Sequence, residues 1–245
     1  MKFKYKFILA KTIAKIFKSK KNNSILMFHS ILKDSNINSD FYSFGENQFY
    51  KLIIFIKNNL KLDICSLENS VKNKNSVSIT FDDGRIDNYY YAFPILKKLK
   101  IPATIFIISD KVDQSENYLT SDQIIEMSNS NLIDFQIHGK SHKPFTELSE
   151  DELINEIISC KKIIKKITNN EPSQISLPHG QFNKKIINLL NNLRINLIFN
   201  SVNSTFNPNK KYNDNLYPRI NICNFDNIET ISQKLSGKWD LFKYF

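Results

Sequence analysis

Cysteine and long apolar runs are both scarce in this 245-residue chain. Its three cysteines, Cys65, Cys160 and Cys223, are odd in number and lack the paired spacing of a metal site, so we expect reduced, mostly buried thiols. No stretch approaches the roughly 18 consecutive apolar residues that a membrane-spanning helix needs, and no linker rich in glycine, proline or serine divides the chain. These absences predict one barrel-sized domain that does not cross a membrane.

Acidic residues are outnumbered, 24 against 34 basic ones, which leaves a net charge of +10. Such a charge could indicate an acidic partner, for example nucleic acid, an anionic glycan or membrane lipid. The lysines, however, are scattered among many Asn and Ile residues, as AT-biased codons would produce, and form no nucleic-acid motif with aromatic residues. We therefore expect no nucleic-acid partner.

Residues 2–22 are the exception to this scatter. Apolar side chains recur there at helical spacing among many lysines, namely Phe3, Phe7, Ala10, Ile13, Ala14 and Phe17. The pattern is typical of a basic amphipathic helix on an anionic membrane surface, although a helix packed across the bottom of the domain explains it equally well. Its apolar run is too short for a secretory signal and no cleavage site follows, so we expect a retained segment and a location in the cytoplasm or at the cytoplasmic face of the membrane.

The rest of the chain alternates strand-like and helix-like segments, which predicts an α/β fold of mostly parallel strands. Predicted strands cover residues 25–29, 62–65, 77–81, 101–108, 133–138, 175–177, 195–199 and 216–222. Predicted helices cover 49–60, 90–99, 153–167 and 183–193, with capping boxes at Thr120 and Ser149 and a kink or restart at Pro94. Residues 30–45 are predicted to be a polar loop, and the aromatic end, Trp239 to Phe245, to cover the barrel or meet a partner.

The most informative stretch is residues 77–84, Val-Ser-Ile-Thr-Phe-Asp-Asp-Gly. Its apolar part predicts a short buried strand with Asp82 and Asp83 at its C-terminal end. Adjacent carboxylates repel each other unless a cation neutralises one of them. Because neighbouring residues of an extended chain point in different directions, one carboxylate can bind a metal ion while the other faces a substrate. The alternative is a solvated turn, for which Asp-Asp-Gly is common.

Histidine is rare too, and each of the four follows an apolar run: His29, His138, His142 and His179. His142 comes four residues after His138, in a stretch where Gly139 and Pro144 predict a loop. Imidazole and carboxylate together suit zinc and neighbouring divalent metals. The histidine pair is weak evidence alone, but the pair combined with Asp-Asp-Gly favours a metal site.

These segments resemble the motifs of the polysaccharide deacetylase family, also called the NodB-homology domain or carbohydrate esterase family four. Residues 80–84 resemble its first motif, residues 138–144 its second, and Leu177-Pro178-His179-Gly180 its third, usually Arg-x-Pro-Tyr-Gly. The resemblance covers residues 24–222. It implies a deformed (β/α) barrel of about seven mostly parallel strands with outer helices. We accordingly expect an N-terminal helix over residues 1–22 and a single catalytic barrel over residues 23–245.

The resemblance also implies a reaction and its residues. One divalent metal, zinc in the first place with cobalt, nickel or manganese as alternatives, would support removal of N-acetyl groups from an amino sugar in a polysaccharide or glycan precursor. Asp82 would be the general base, and Asp83, His138 and His142 would bind the metal. The backbone N–H at His179 would help to hold the oxyanion, with Pro178 and Gly180 in the substrate site.

The chain departs from the family pattern in three places. Ser176 stands where many members carry an arginine that orients the base, His179 replaces a tyrosine, and the late Leu-x-His motif that supplies a general acid is absent. His29 follows a segment similar to the Tyr-His start of the poly-N-acetylglucosamine deacetylase branch, so we predict it as the acid, with His179 as the competing candidate.

Arg219, a further candidate for the substrate site, either replaces the arginine missing at Ser176 or forms a surface ion pair, and the ion pair is the simpler of the two. The serine and the absent histidine also leave two other functions open. One is a catalytically impaired glycan-binding barrel, and the other is an amidase or esterase acting on a non-sugar substrate.

Overall fold

Short runs of β-branched and aromatic residues form the strands of this computed structural model, which describes residues 2–20, 22–210 and 212–243. The strands are β1 Ser24–Phe28, β2 Ser30–Leu32, β3 Ser43–Gly45, β4 Asp63–Ile64, β5 Ser76–Phe81, β6 Ala103–Ile107, β7 Ile133–Ile137, β8 Gln174–Ser176, β9 Leu197–Phe199, β10 Leu216–Tyr217 and β11 Ile220–Asn221. Strands β5 and β6 are buried along their whole length. They are therefore covered on both faces, as parallel strands with helices outside them usually are.

The helices that cover the sheet are α1 Lys2–Ala14, α2 Glu46–Phe55, α3 Leu67–Lys72, α4 Phe93–Leu99, α5 Ser121–Asn129, α6 Glu150–Thr168, α7 Lys184–Asn192 and α8 Ile228–Leu235. The predicted capping boxes start α5 and α6, with Thr120 and Ser149 as the N-caps. Helix α4 begins at Phe93, directly after a π-helical turn over Asn88–Ala92, with Pro94 in its first turn. The three cysteines are buried and unpaired, as expected.

The nine strands of the main sheet follow the order β10-β9-β8-β7-β6-β5-β1-β11, with β4 beside β5. Strands β10 and β11 lie at opposite ends of this order, yet only Pro218 and Arg219 separate them in the chain. Three peptide spacings reach about 10 Å, so the sheet must curl until its two edges nearly meet. The expected deformed barrel of mostly parallel strands is confirmed, with nine strands rather than about seven.

Two segments differ from the prediction. Residues 216–222 are not one strand, because Pro218 has no N–H for a ladder and the chain crosses there from β10, which pairs with β9, to β11, which pairs with β1. Residues 30–45 are not wholly a loop, since β2 and β3 pair within them.

Helix α1 packs on the barrel through Phe7, Ala10 and Ala14, which are buried against Cys223 and Trp239. Cys223 follows the C-terminal end of β11, so this contact lies away from the bottom of the barrel, where the strands begin. The predicted apolar stripe is thus a packing face, although the side chain of Phe3 lies outside the described part, as do Lys21, Tyr244 and Phe245. None of the helices described here combines the length and the apolar character needed to cross a lipid bilayer.

Candidate active site

The strand ends bring the predicted site residues together. Strand β1 pairs with β5 so that Phe28 lies opposite Phe81, and the next N–H, from Asp82, donates to the Phe28 carbonyl at 2.9 Å. Strand β7 ends opposite β8, which places His138 beside Ser176. Because all of these strands are parallel, Asp82, Asp83, His138 and the residue after β1, His29, gather at one mouth of the barrel.

Asp83, His138 and His142 form a compact triangle of potential ligand atoms. His138 Nε2 lies 3.4 Å from Asp83 Oδ1, His142 Nε2 lies 3.5 Å from the same oxygen, and the two Nε2 atoms are 3.2 Å apart. Ligands about 2.0–2.2 Å from a tetrahedral zinc ion stand about 3.3–3.6 Å from one another. The spacing of the three side chains therefore fits a zinc-sized cation.

Two further contacts agree with a cation at this place. His138 Nδ1 lies 2.8 Å from the carbonyl oxygen of Ser176, which can only accept, so Nδ1 carries a proton and donates it, and Nε2 is left to face Asp83. Hydrogen bonding of the second ring nitrogen is how metal-binding histidines are usually oriented. Asp83 Oδ1 is buried without a hydrogen-bond donor in the described part of the chain, and an ion would satisfy it.

The charges of the site suit metal binding as well. Burial would raise the pKa of Asp83, but the neighbouring His138 outweighs it, so that this pKa is lowered. Burial would lower the pKa of His138, but Asp82 and Asp83 outweigh it and raise that pKa, and a bound cation would displace the extra proton. Burial and the neighbouring His138 lower the pKa of His142 to about 4. At neutral pH Asp83 is therefore ionised and His142 neutral, the states in which both bind metals.

Asp82 is held by Arg219, which is completely buried at 0% exposure. Its two terminal nitrogens each donate to one Asp82 carboxylate oxygen at 2.7 Å, which is the bidentate geometry that orients a carboxylate most firmly. A further bond from Arg219 reaches Ser176 Oγ at 2.7 Å, and that hydroxyl donates to Asp82 Oδ2 at 3.0 Å. Burial would raise the pKa of Asp82, but Arg219 and His138 hold it well below its usual range.

The interpretation of Arg219 as a surface ion pair is therefore wrong. The guanidinium lies inside the barrel, over the ring of Phe106, and its Nε donates to the Asn200 carbonyl at 3.2 Å. From its place just before β11, Arg219 reaches Asp82, the carboxylate that the arginine missing at Ser176 would orient in the family pattern. The serine does not leave Asp82 unsupported, because its hydroxyl completes the same network.

His29 lies directly after β1, beside Asp82 in the register of the sheet. Its ring stacks on Tyr42 with the centroids 4.6 Å apart, and its carbonyl accepts from Asn88 Nδ2 at 2.8 Å. Burial lowers the pKa of His29, against the opposing charges of Asp82 and Asp83. Its Nδ1 is buried without a partner in the described residues.

His179 occupies the opposite side of the site and is exposed. Its ring lies 4.6 Å from that of His142, measured between centroids. Pro178 is buried, and Gly180 adopts φ +67°, where a Cβ would lie 2.6 Å from Ser201 Oγ and 3.0 Å from the Ser201 nitrogen. Only glycine fits at that position, so the third segment forms a tight turn against residue 201.

A family model for polysaccharide deacetylase matches residues 69–198, more than half of the chain. The chain belongs to the polysaccharide deacetylase family. The resemblance in the sequence is thereby confirmed, together with the expected class of enzyme, a carbohydrate N-deacetylase.

Relatives in this family extend the match beyond the family model. The chain is 28% identical to the poly-beta-1,6-N-acetyl-D-glucosamine N-deacetylase of Staphylococcus aureus strain MSSA476, over 99% of this chain and 86% of that protein. It is 33% identical to the polysaccharide deacetylase YxkH of Bacillus subtilis strain 168, over 45% of this chain but only 39% of that protein. The Streptococcus pyogenes deacetylase PplD in complex with acetate superposes with a TM-score of 0.77 at 23% identity, over 87% of this chain and 98% of that one. That last likeness concerns the fold.

Two parts of the site have no signal in the family motifs. Tyr42, which stacks on His29, comes from a segment that the sequence presents as a polar loop. Glu156 supports the loop between the two histidines of the family's second motif, and its one signal is a charged residue placed among Leu153, Ile157 and Cys160 on the apolar stripe of α6.

Proposed function

We propose that this protein is a metal-dependent hydrolase that removes N-acetyl groups from an amino sugar in a polysaccharide or glycan precursor. The observation that carries the proposal is the pairing of two features: the triangle of Asp83, His138 and His142, and, beside it, Asp82 held by Arg219. A module that only binds glycans needs no oriented carboxylate next to a metal site. This pairing therefore favours the hydrolase over the impaired barrel.

Asp83, His138 and His142 would hold one divalent metal, for which zinc is our first choice because nitrogen and carboxylate donors at this spacing suit it. Such a metal, when bound, acidifies a water molecule and polarises the carbonyl of the acetyl group. Cobalt, nickel and manganese accept the same donors.

Asp82 would accept the proton of the attacking water. Arg219 fixes both oxygens of this carboxylate, so its orientation needs no rearrangement during the reaction. The lowered pKa of Asp82 keeps it ionised at neutral pH. A carboxylate with a lowered pKa is a weak base. It can take a proton efficiently only from a water molecule whose own pKa is lowered, as a bound metal would lower it.

The oxyanion would be stabilised by the backbone N–H at His179, in the tight turn that Gly180 permits. Loss of one such donor typically reduces kcat by about 10²–10³-fold. Pro178 and Gly180 would define this side of the substrate site. An open groove of about 560 Å³ continues from His179 past Gln181 and Phe182, and its size suits a neighbouring sugar of a glycan chain.

His29 is our candidate for the acid that protonates the leaving nitrogen, and His179 remains the rival. His29 is supported by its place beside Asp82 and by its unpartnered Nδ1. Burial lowers its pKa, which makes the protonated form a stronger acid and shifts that form toward mildly acidic pH.

The leaving group separates the two candidates. His29→Gln should lose acetate release from N-acetylglucosamine oligomers yet retain hydrolysis of 4-nitrophenyl acetate, because a nitrophenolate departs without a proton. His179→Gln should affect both substrates to a similar extent. If instead His179→Gln loses acetate release and retains hydrolysis of 4-nitrophenyl acetate, the acid is His179.

The names of the relatives support a substrate class. The Staphylococcus aureus protein is named for poly-β-1,6-N-acetyl-D-glucosamine, and we propose β-linked N-acetylglucosamine oligomers as the first substrates to test. With zinc-loaded protein we expect acetate release, and we expect Asp82→Asn to bind zinc normally without turnover. Near-normal activity of Asp82→Asn would exclude Asp82 as the base. Zinc binding without acetate from any acetylated sugar would favour the glycan-binding or the amidase interpretation.

Contact with a membrane through α1 belongs to the same proposal. Opposite its packing face, α1 exposes Tyr5, Ile8 and Leu9, and Ile16 follows in the turn directly after it, with exposed fractions of 69%, 52%, 60% and 78%. These positions fall on one side of a helix, and several lysines flank them, as on helices that lie on anionic bilayers. We propose that this face rests on the cytoplasmic leaflet. The free cysteines are compatible with that compartment.

Vesicle flotation tests the membrane contact. The protein should float with vesicles rich in phosphatidylglycerol and less with pure phosphatidylcholine, and Leu9→Glu/Ile16→Glu should remove the binding. Ile125→Glu/Ile163→Glu is a matched control, since both isoleucines are exposed on other helices. Equal loss of binding in the control would argue against a specific role of α1.

A further inference from the structure

The loop between His138 and His142 must reverse sharply to bring both rings to Asp83. Gly139 and His142 adopt left-handed backbone conformations, with φ of +81° and +67°. Two carbonyls of the loop are fixed on one side, because Ser109 N–H donates to Gly139 and Asp110 N–H donates to Lys140 at 3.2 and 2.9 Å. The amides of the loop need an acceptor on the other side.

Glu156 supplies that acceptor from α6. Its Oε2 accepts from the backbone N–H groups of Lys140 and Ser141 at 2.7 and 2.8 Å, and its Oε1 accepts from Ser141 Oγ at 2.6 Å. The residue is only 7% exposed. In the described part of the chain no lysine or arginine lies within 4 Å of its carboxylate. The N–H and O–H groups of the loop therefore stabilise its negative charge.

The geometry is that of an anion held by consecutive backbone amides, with the anion supplied by the protein itself. Hydrogen bonds to a charged acceptor are the stronger kind. Gly139 leaves space for the carboxylate, because a Cβ there would lie 3.1 Å from Oε2 and 3.4 Å from the Phe145 ring. The contact is therefore built into both the loop and the helix.

We propose that Glu156 is a positioning residue for the metal centre, holding residues 140 and 141 so that His142 faces Asp83 and His138. The proposal rests on the metal site of the proposed function. Glu156 has no contact with the potential ligand atoms and acts through the loop, so its loss should weaken metal binding by disordering His142.

Zinc affinity, measured by competition with a chromophoric chelator, tests this role. Glu156→Gln keeps the size of the side chain but removes its negative charge, so the two backbone N–H groups of the loop lose a charged acceptor. Its zinc dissociation constant should rise about 10–100-fold, the range for supports outside the ligand shell. The visible spectrum of the cobalt-substituted variant should lose intensity as tetrahedral coordination is lost, and excess zinc should restore much of the kcat.

Glu152→Gln is the matched control. Glu152 lies one turn earlier on α6 and accepts from Ser149 N and Oγ, both at 2.8 Å, without contacting the loop. This variant should lose helix-cap stability and keep the zinc affinity of the wild type. Ser141→Ala, which removes only the Oγ bond, should weaken zinc binding a few-fold and supplies the test should Glu156→Gln not fold.

The outcomes separate the two proposals. Wild-type zinc affinity and an unchanged cobalt spectrum in Glu156→Gln would overturn the role of Glu156 and leave the metal site standing, and the same result in Ser141→Ala would do so if the first variant does not fold. Failure of the wild-type protein itself to bind zinc would overturn the metal site and the role of Glu156 together.

Discussion

Replacing Arg219 with methionine should produce the largest single effect on this fold and its chemistry. Methionine keeps the unbranched apolar stem of the side chain but removes two 2.7 Å bonds to Asp82, one to Ser176 Oγ and one to the Asn200 carbonyl. Asp82 would remain buried, with the Ser176 hydroxyl as its donor. Breaking a buried ion pair on one side typically costs about 3–5 kcal/mol, and we expect a loss in that range at pH 7.

The pH dependence of this loss has a definite sign. In the wild type the pKa of Asp82 is lowered, so its contribution to stability is present above the unfolded pKa of about 4 and is lost as the pH falls below it. In Arg219→Met burial acts unopposed by the guanidinium and raises that pKa, so the variant becomes less stable as the pH rises above about 4. The stability difference between the two proteins should therefore grow from pH 4 to pH 7.

Urea unfolding in the presence of EDTA at pH 4, 5.5 and 7 measures this difference without a contribution from metal. Activity gives a second readout, because the acidic limb of kcat/KM should lie at higher pH in Arg219→Met than in the wild type. The double variant Asp82→Asn/Arg219→Met removes both charges and should recover much of the stability. Stability of Arg219→Met within about 0.5 kcal/mol of the wild type at pH 7 would refute the reasoning, since a surface substitution has that size of effect.

Three further predictions concern other parts of the molecule. Burial raises the pKa of Asp87 to about 6, so between pH 4 and pH 6 the wild type should lose about 2 kcal/mol of stability relative to Asp87→Asn as the pH rises; parallel urea-derived stability curves would contradict this. Gly180→Ala should cost about 2–4 kcal/mol, because it adds backbone strain to a close contact with Ser201, and Ser201→Gly should relieve only the part due to the Ser201 side chain. EDTA should lower the melting temperature of zinc-loaded protein by about 5–15 °C, and Asp83→Asn, measured by the same thermal scan, should show almost no shift.

The sequence identified those site residues that lie directly after apolar strand-forming runs. His29, Asp82, Asp83 and His138 all follow such runs, and parallel strands carry their ends to one mouth. Arg219 could not be assigned in the same way, because its role depends on the chain crossing between β10 and β11. Nothing in residues 216–222 except Pro218 signals that crossing.

Contacts between distant segments explain the other gaps. Tyr42 reaches His29 only because residues 30–45 include β2 and β3, which hold the segment against the barrel. Glu156 has a signal in the helical period of α6, where a charged residue interrupts an apolar face. That signal predicts a buried carboxylate. Its hydrogen-bond partners could be identified only from the conformation of the loop between His138 and His142.

The crossing at Pro218 and Arg219 also restricts how this architecture could evolve away from hydrolysis. A descendant that kept the barrel but replaced Asp82 with a neutral residue would retain a guanidinium enclosed between the sheet edges, with no counter-ion among the neighbours seen here. A substitution at Asp82 should therefore be followed by a substitution at Arg219. In lineages that have abandoned the reaction we expect these two residues to change as a pair, whereas the triangle of Asp83, His138 and His142 can decay one residue at a time.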